Sequence, residues 1–175
     1  VGGRGGYYEE AGALRDMVQN HILQVLALVA MEPPVSLEAE AIRNEKVKLL
    51  QSIRPLSSGD VAKQVVRGQY FAGVVNGQPQ PGYRQEPKVK PDSNVETYVA
   101  AKLFVDNWRW SGVPIYLRAG KCMPMTATEV RVEFHRPPSV VFPNVFTCLL
   151  KLHCLFQCMF LPLRSGCMSN SFLAF

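Results

Sequence analysis

The pattern of apolar and polar positions is helical in the first part of the chain. Between residues 9 and 31, apolar residues recur at three- and four-residue spacing, as they do along the buried face of an α-helix. These positions become almost continuous from Ile22 to Met31, so the helix is expected to be central and buried on most sides. Pro33-Pro34 ends it, because neither proline can donate to a continuing helix. The stripe contains Leu14, Met17, Val18, Ile22, Val25, Leu26 and Val29.

The next segments alternate between a helix and less regular chain. A second helix is predicted over residues 37–53, with Ser36 as its N-terminal cap. Its apolar positions are sparser, which is typical of a helix with one solvent-facing side. Residues 55–60 predict a turn, and residues 61–70 predict either a short helix or a strand. Residues 72–94 are rich in Gly, Pro, Gln and Asn and predict a long surface loop.

After the loop the pattern indicates strands. Residues 97–105 are β-branched and aromatic, and residues 113–117 follow a turn at 107–112. Another turn is predicted at 119–121, and clean alternation over 129–134 predicts a further strand. Helices followed by strands joined by short turns predict an α+β domain, with the long buried helix and further helices packed on an antiparallel sheet.

Composition and charge narrow the class of protein. The chain has 175 residues, enough for one domain with a real core, and 47% hydrophobic and 19% charged residues are ordinary for a soluble globular protein. A net charge of +5 suits phosphorylated metabolites, nucleic acids or anionic membranes alike. The basic residues form no run of five or six, which argues against a nucleic-acid partner.

The distribution of cysteines separates the end of the chain from the rest. Cys122 stands alone, whereas the other four of the 5 cysteines lie between 148 and 167. A secreted disulfide scaffold would spread its cysteines through the fold. Residues 1–142 therefore have the pattern of a cytoplasmic, thiol-reduced protein. Four potential zinc ligands in the tail match the spacing of no usual zinc finger, and no metal site is predicted. They are Cys148, His153, Cys154 and Cys158.

Residues 143–175 form an apolar, cysteine-rich tail. Residues 146–163 are strongly apolar but include Lys151, His153 and Gln157, and such residues are costly within a membrane span. A membrane anchor is therefore disfavoured. The abrupt change in composition favours a wrong-frame or intron-derived end to a gene fragment.

A polar cluster interrupts the first helix at Arg15-Asp16-Met17-Val18-Gln19-Asn20-His21. Burying these polar groups costs free energy unless each finds a partner. His21 is either a satisfied core histidine or a general base, since imidazole titrates near neutral pH. On a regular helix, Asp16 and His21 lie about 140° apart. A ligand that touches both must therefore lie across the helix or at a local irregularity.

Three further segments carry candidate chemistry. In Arg118-Ala119-Gly120-Lys121, a turn glycine between two cations is able to present both to a phosphate or a sugar hydroxyl. Trp108-Arg109-Trp110 is either a stacking platform or part of the core. The glycine-rich start, Gly2-Gly3-Arg4-Gly5-Gly6, follows no predicted strand and lacks the spacing of a dinucleotide-binding loop.

Eight segments, read in order, resemble glucose-6-phosphate dehydrogenase. The resemblance covers about residues 1–142 and includes the clusters at Asp16–His21 and Arg118–Lys121. No single segment is decisive, but eight in the family's order exclude chance similarity. They are residues 3–8, 15–21, 30–34, 42–47, 66–70, 81–83, 106–114 and 117–121.

The resemblance implies a C-terminal, substrate-binding domain that follows an NADP-binding Rossmann domain. Such enzymes oxidise glucose 6-phosphate to 6-phosphogluconolactone in the oxidative pentose phosphate pathway and assemble as homo-oligomers. By the resemblance, His21 is the catalytic base, and Asp16 and Lys121 bind substrate. Arg118 and Arg131 correspond to residues that help hold a second, structural NADP in some members.

The sequence also departs from the family. The dinucleotide fingerprint and the Arg-Ile-Asp-His-Tyr-Leu-Gly-Lys-Glu stretch, which grips the phosphate, would precede Val1 and are absent. After Lys121 the family carries a further cation or two, whereas residues 123–128 have none. Beyond Phe142 the tail replaces the remaining family strands. We therefore expect this incomplete domain to be inactive alone. The alternative is a short non-catalytic product that acts as an interaction module or decoy subunit. A third hypothesis is a form tethered to a membrane by residues 146–163.

Overall fold

The computed structural model describes residues 1, 3–75, 77–123 and 127–134, together with the backbone of 156–158 and 172–174. Within these residues, helices pack on a mainly antiparallel sheet, so the predicted α+β class is confirmed. One hydrophobic cluster joins the first helices to the sheet through residues such as Met17, Ile22, Val99 and Leu117. None of the helices in this described part is both long and apolar enough to cross a membrane.

The predicted single helix at 9–31 is three successive helical segments. They are α1 (Gly5–Ala13), a π-helix (Leu14–Ile22) and α2 (Leu23–Ala30). Gly12 has φ +64° and ψ 178°, a conformation that interrupts α1 and that glycine adopts without a steric penalty. The prediction failed here because apolar spacing reports which face is buried and is insensitive to a local change in the hydrogen-bond period.

The expected burial of the first helix on most sides is also wrong. Leu26, Ala27 and Ala30 are buried, but Leu28 and Val29 are 51% and 42% exposed. One side of α2 therefore faces away from the core of the described residues. Apolar composition alone did not reveal this, because it does not show how many neighbours a helix has.

The remaining helices lie close to their predicted positions. Helix α3 spans Ala39–Gln51 within the predicted 37–53. It begins after Glu38 rather than at Ser36, although the Ser36 hydroxyl accepts a hydrogen bond from the Glu38 N–H at 3.4 Å. The ambiguous segment 61–70 is both kinds of element in turn. It contains the end of α4 (Ser58–Gln64) and all of β1 (Val65–Tyr70).

The main sheet is built on three antiparallel strands, with β4 (Tyr98–Phe104) between β1 and β5 (Pro114–Gly120). Short strands from the tail flank them. Strand β6 (Phe156–Cys158) is parallel to β5, and β7 (Phe172–Ala174) is antiparallel to β1. The order is therefore β6-β5-β4-β1-β7.

Three predictions about the loops and strands need correction. The predicted loop 72–94 contains a small hairpin, β2 (Gly73–Val75) with β3 (Gln78–Gln80), and a 3-10 turn at Tyr83–Gln85. The predicted turn 119–121 is wrong, because β5 continues through Gly120. Of the predicted strand 129–134, residues 130–134 are not in a strand. An alternating pattern makes a strand only where a neighbour completes its hydrogen bonds.

Candidate functional site

The structure brings Asp16 and Lys121 together. The Lys121 Nζ donates a hydrogen bond to Asp16 Oδ2 at 2.9 Å, although the two residues are 105 positions apart. Their side chains are only 10% and 8% exposed, so this is a buried ion pair. Asp16 lies on the π-helix and Lys121 directly follows β5. Both residues had been selected as substrate contacts from the resemblance alone.

Two further side chains surround the Lys121 ammonium group. It lies 3.1 Å from Met17 Sδ and 5.2 Å from the centroid of the Tyr8 ring, over whose face a cation is attracted. Tyr8 is 1% exposed, and burial, followed by the nearby Asp16 charge, raises the pKa of its phenol well above the ordinary value. Tyr8 therefore stays neutral and offers Lys121 an aromatic face.

The π-helix changes the relation between Asp16 and His21. Its hydrogen bonds join residues five apart, as in the bond from the Leu23 N–H to the Val18 carbonyl. A residue and its fifth neighbour therefore lie about one turn apart, rather than on well-separated faces as in an α-helix. This is the kind of local irregularity that a ligand touching both Asp16 and His21 requires. π-Helical turns are rare and often occur at functional sites.

His21 and Asp16 differ in exposure. Asp16 is buried and His21 is half-buried. The His21 imidazole is therefore partly accessible, whereas the Asp16 carboxylate is held by Lys121. The π-helix thus carries one carboxylate held in a buried ion pair and one partly accessible imidazole.

Arg118 and Arg131 are not presented as the sequence suggested. Arg118 lies within β5, half-buried, and pairs in register with Ala100 of β4. Because β5 continues through Gly120, the predicted turn that would aim Arg118 and Lys121 at one ligand does not form. Arg131 is exposed and lies outside the strands.

The tryptophan segment forms a turn, and of its two tryptophans Trp110 packs against the core cluster. Trp108 is fully exposed, whereas the Trp110 Nε1–H donates to the Ala30 carbonyl at 2.8 Å, at the end of α2. The Arg109 guanidinium makes a two-pronged ion pair with Glu32. The segment thus fastens the turn before β5 to the end of α2.

Two residues at this site, Tyr8 and Glu96, are not among those predicted from the sequence. Tyr8 lies within a matched segment, but only the fold places its ring beside Lys121. Glu96 accepts hydrogen bonds from the residues that begin the π-helix and also lines a cavity of about 220 Å³ with Arg67, Gly68, Gln69 and Asn94. The only sequence signal for Glu96 is a single charged residue directly before a predicted strand. No cluster of three or more His, Cys, Asp or Glu residues suited to a metal occurs among the residues with described positions.

Comparison with known proteins gives the family. The family model described as "Glucose-6-phosphate dehydrogenase, C-terminal domain" matches residues 1–153. The match therefore runs past residue 142 into the beginning of the tail. The boundary at 142 and the foreign origin of the tail stay predictions.

The curated relatives that the chain matches are glucose-6-phosphate 1-dehydrogenases. The chain is 55% identical over 135 residues to the glucose-6-phosphate 1-dehydrogenase of Bacillus subtilis, covering 77% of this chain and 28% of that protein. It is 51% identical over 139 residues to the enzyme of Aggregatibacter actinomycetemcomitans, covering 79% of this chain and 28% of that protein. The chain thus spans less than a third of the length of these relatives.

Solved structures agree with the sequence matches. Glucose-6-phosphate 1-dehydrogenase from Mycobacterium avium superposes with a TM-score of 0.65 at 42% identity, covering 82% of this chain and 29% of that one. A glucose-6-phosphate dehydrogenase in complex with its substrate glucose-6-phosphate gives a TM-score of 0.61 at 43% identity, covering 70% of this chain and 24% of that one. The chain belongs to the glucose-6-phosphate dehydrogenase family and carries sequence of its C-terminal domain.

Proposed function

We propose that this chain is the glucose 6-phosphate-binding and proton-accepting part of an NADP-dependent glucose-6-phosphate 1-dehydrogenase. The observation that carries the proposal is the 2.9 Å contact between Asp16 and Lys121, beside the helix that bears His21. It brings together two residues that the resemblance implies as substrate contacts.

The buried pair is chemically suited to a sugar phosphate. A carboxylate accepts hydrogen bonds from hydroxyl groups, and an ammonium group donates to hydroxyl or phosphate oxygens. On binding, substrate oxygens take over part of the contact that Asp16 and Lys121 make with each other. The two side chains thus hold the sugar beside the π-helix, where His21 is half-buried.

His21 is the proposed general base. It takes the proton of the sugar's C1 hydroxyl while the C1–H bond breaks and a C1=O bond forms, which gives the lactone. A bound NADP would supply the hydride acceptor. The imidazole keeps the proton until solvent removes it. General base catalysis of this kind typically contributes about a hundred- to ten-thousand-fold in rate.

Only part of the cofactor chemistry belongs to this chain. The family's Rossmann domain lies outside the residues present, and the hydride-accepting NADP would be held there. Arg118 and Arg131 are the proposed contacts for a second, structural NADP, since guanidinium groups match phosphate oxygens in charge and geometry. Association into a homo-oligomer and a cytoplasmic setting belong to the same proposal.

A chimeric enzyme tests the site. Residues 1–134 of this chain replace the matching segment of the Bacillus subtilis relative, which supplies the rest of the protein. We expect His21→Asn to lower kcat about a hundred- to ten-thousand-fold, with little change in KM for glucose 6-phosphate, because a base acts on the barrier more than on ground-state binding. Lys121→Ala is expected to act mainly by raising KM.

The control is Gln24→Ala. Gln24 is an exposed residue on α2, and its side-chain oxygen accepts a hydrogen bond from Lys46. The variant should leave both kinetic constants near those of the parent chimera. A His21→Asn chimera with near-normal kcat would refute the assignment of the base. A Lys121→Ala chimera with unchanged KM would remove that lysine from the substrate site.

A further inference from the structure

Glu96 accepts two hydrogen bonds from the backbone where the π-helix begins. Its backbone carbonyl accepts a hydrogen bond from the Ala13 N–H at 3.2 Å. Its side-chain Oε1 accepts one from the Leu14 N–H, also at 3.2 Å. One residue just before β4 thus binds two consecutive N–H groups at the point where the chain enters the π-helix.

These N–H groups need an external acceptor. The first N–H groups of any helix have no partner within it, so they bond to another group or to water. Ala13 is fully buried, so its N–H would be costly to leave unpaired, whereas Leu14 is exposed and its N–H would otherwise be left to water. Gly12, at φ +64°, interrupts α1 directly before them, so the preceding helix does not supply the missing carbonyls. A carboxylate is also the preferred acceptor at this end, because the helix dipole is positive there.

Gly12 and Glu96 fit each other closely. A Cβ built on Gly12 would lie 2.8 Å from Glu96 Oε1 and 3.5 Å from Val95 Cγ1. The absence of a side chain at Gly12 therefore lets the carboxylate reach the helix start. The same glycine provides the backbone conformation that ends α1.

Thr97, the residue after Glu96, contacts the backbone of Lys121. The Thr97 carbonyl accepts a hydrogen bond from the Lys121 N–H at 2.8 Å. Thr97 is itself anchored on β1, since its N–H donates to the Gly68 carbonyl and its hydroxyl accepts from the Tyr70 N–H at 2.9 Å. Adjacent residues therefore determine where both members of the Asp16–Lys121 pair lie.

We propose that Glu96 is a positioning residue for the dehydrogenase reaction. Its side chain determines where the π-helix begins and hence the rotation at which Asp16 and His21 face the substrate. This inference rests on the function proposed above, because it assigns Glu96 to the same site. Glu96 acts through the helix and needs no contact with substrate or cofactor.

The chimeric enzyme separates this role from simple stabilisation. Glu96→Ala removes the Oε1 acceptor, and we expect kcat per folded enzyme to fall about ten- to a hundredfold, since small misplacements of reacting groups can cost up to a hundredfold. Glu96→Gln keeps an acceptor oxygen of the same reach and should restore kcat to within about threefold of the parent. Ser57→Ala is the matched control because it removes another helix cap, in α4, where Ser57 Oγ accepts the Asp60 N–H at 3.2 Å. It should lower the melting temperature and leave kcat unchanged.

Hydrogen exchange gives a readout independent of activity. Exchange of the Leu14 amide should accelerate in Glu96→Ala, be largely protected in Glu96→Gln and stay unchanged in Ser57→Ala. A Glu96→Ala chimera with parental kcat per folded enzyme overturns the proposal. So does a Gln variant as impaired as the Ala variant despite a protected Leu14 amide. Failure of the proposed function is read separately, from a His21→Asn variant with near-normal kcat.

Discussion

At the scale of single residues, the central feature is a buried ion pair whose members are costly to separate. Asp16 and Lys121 are both about nine-tenths buried. Removing one partner of a buried pair typically costs about 3–5 kcal/mol, because the other charge is left without compensation. Replacing both by apolar groups of similar volume is often neutral. Stability alone therefore does not explain why this buried pair is present.

The difference between removing one charge of the pair and replacing both yields a double-mutant prediction for the chimeric enzyme. Asp16→Leu alone should lower the free energy of unfolding by about 3 kcal/mol or more, and Asp16→Leu with Lys121→Met should recover much of that loss. Denaturant unfolding followed by tryptophan fluorescence measures both. The double variant should remain inactive toward glucose 6-phosphate, because the sugar contacts are gone. If the stability lost in the double variant equalled the sum of the losses in Asp16→Leu and Lys121→Met, the pair would not be energetically coupled.

At the scale of elements, the cap of α4 is the clearest case of an acid-sensitive contact. Asp60 Oδ2 accepts hydrogen bonds from the Ser57 hydroxyl at 2.6 Å and the Ser57 N–H at 3.1 Å. The first of these is the main cause that lowers the pKa of Asp60 below its ordinary value, with the backbone bond second. A carboxyl with a depressed folded-state pKa stabilises the fold above its unfolded pKa, near 3.8. The contribution is lost as the pH falls through the lower, folded-state pKa.

The prediction concerns the titration of Asp60. In Ser57→Ala the pKa of the Asp60 carboxyl should rise towards its ordinary value, and α4 should fray at a higher pH than in the parent. Titration of the carboxyl carbon by NMR measures the first effect. Amide protection at Val61, whose N–H donates to the Ser57 carbonyl at 2.9 Å, measures the second. Asp106, whose pKa is lowered by the hydrogen bond from Arg54, is the internal control and should not respond. An unchanged Asp60 titration in Ser57→Ala would contradict this account of the cap.

At the scale of the whole molecule, the chain covers 28% of the Bacillus subtilis relative. Hydride transfer requires the nicotinamide to be held beside the sugar's C1, and that geometry depends on the Rossmann domain expected outside these residues. Several large apolar side chains are also exposed in the chain as it stands, among them Leu14 at 59% and Leu28 at 51%. Such surface is a liability for association when nothing covers it.

The purified 175-residue chain is therefore expected to show no glucose 6-phosphate-dependent formation of NADPH. Absorbance of NADPH at saturating substrate measures this, with the chimeric enzyme as the positive control. We also expect the chain to aggregate or associate, which light scattering detects. Measurable activity in the isolated chain would overturn the prediction and show that the Rossmann domain expected outside these residues is not required.

The sequence by itself determined the class of fold, the family and most of the element positions. Helix α3 and strand β4 follow from spacing within a short window, because their hydrogen bonds and buried faces repeat with a local period. Ordered motifs identified Asp16, His21 and Lys121. The proposed roles of these three residues rest on that resemblance and on their placement in the fold.

Tertiary structure decided what depends on distant parts of the chain. The change to a π-helix coincides with a contact between Glu96 and residues 13–14, and the burial of Asp16 depends on Lys121. Likewise, β5 continues through Gly120 because β4 pairs with it as far as Tyr98, whereas residues 130–134 alternate in sequence without forming a strand. Local periodicity shows what a segment is able to form, but only the partner brought by the fold supplies the missing hydrogen bonds and charges.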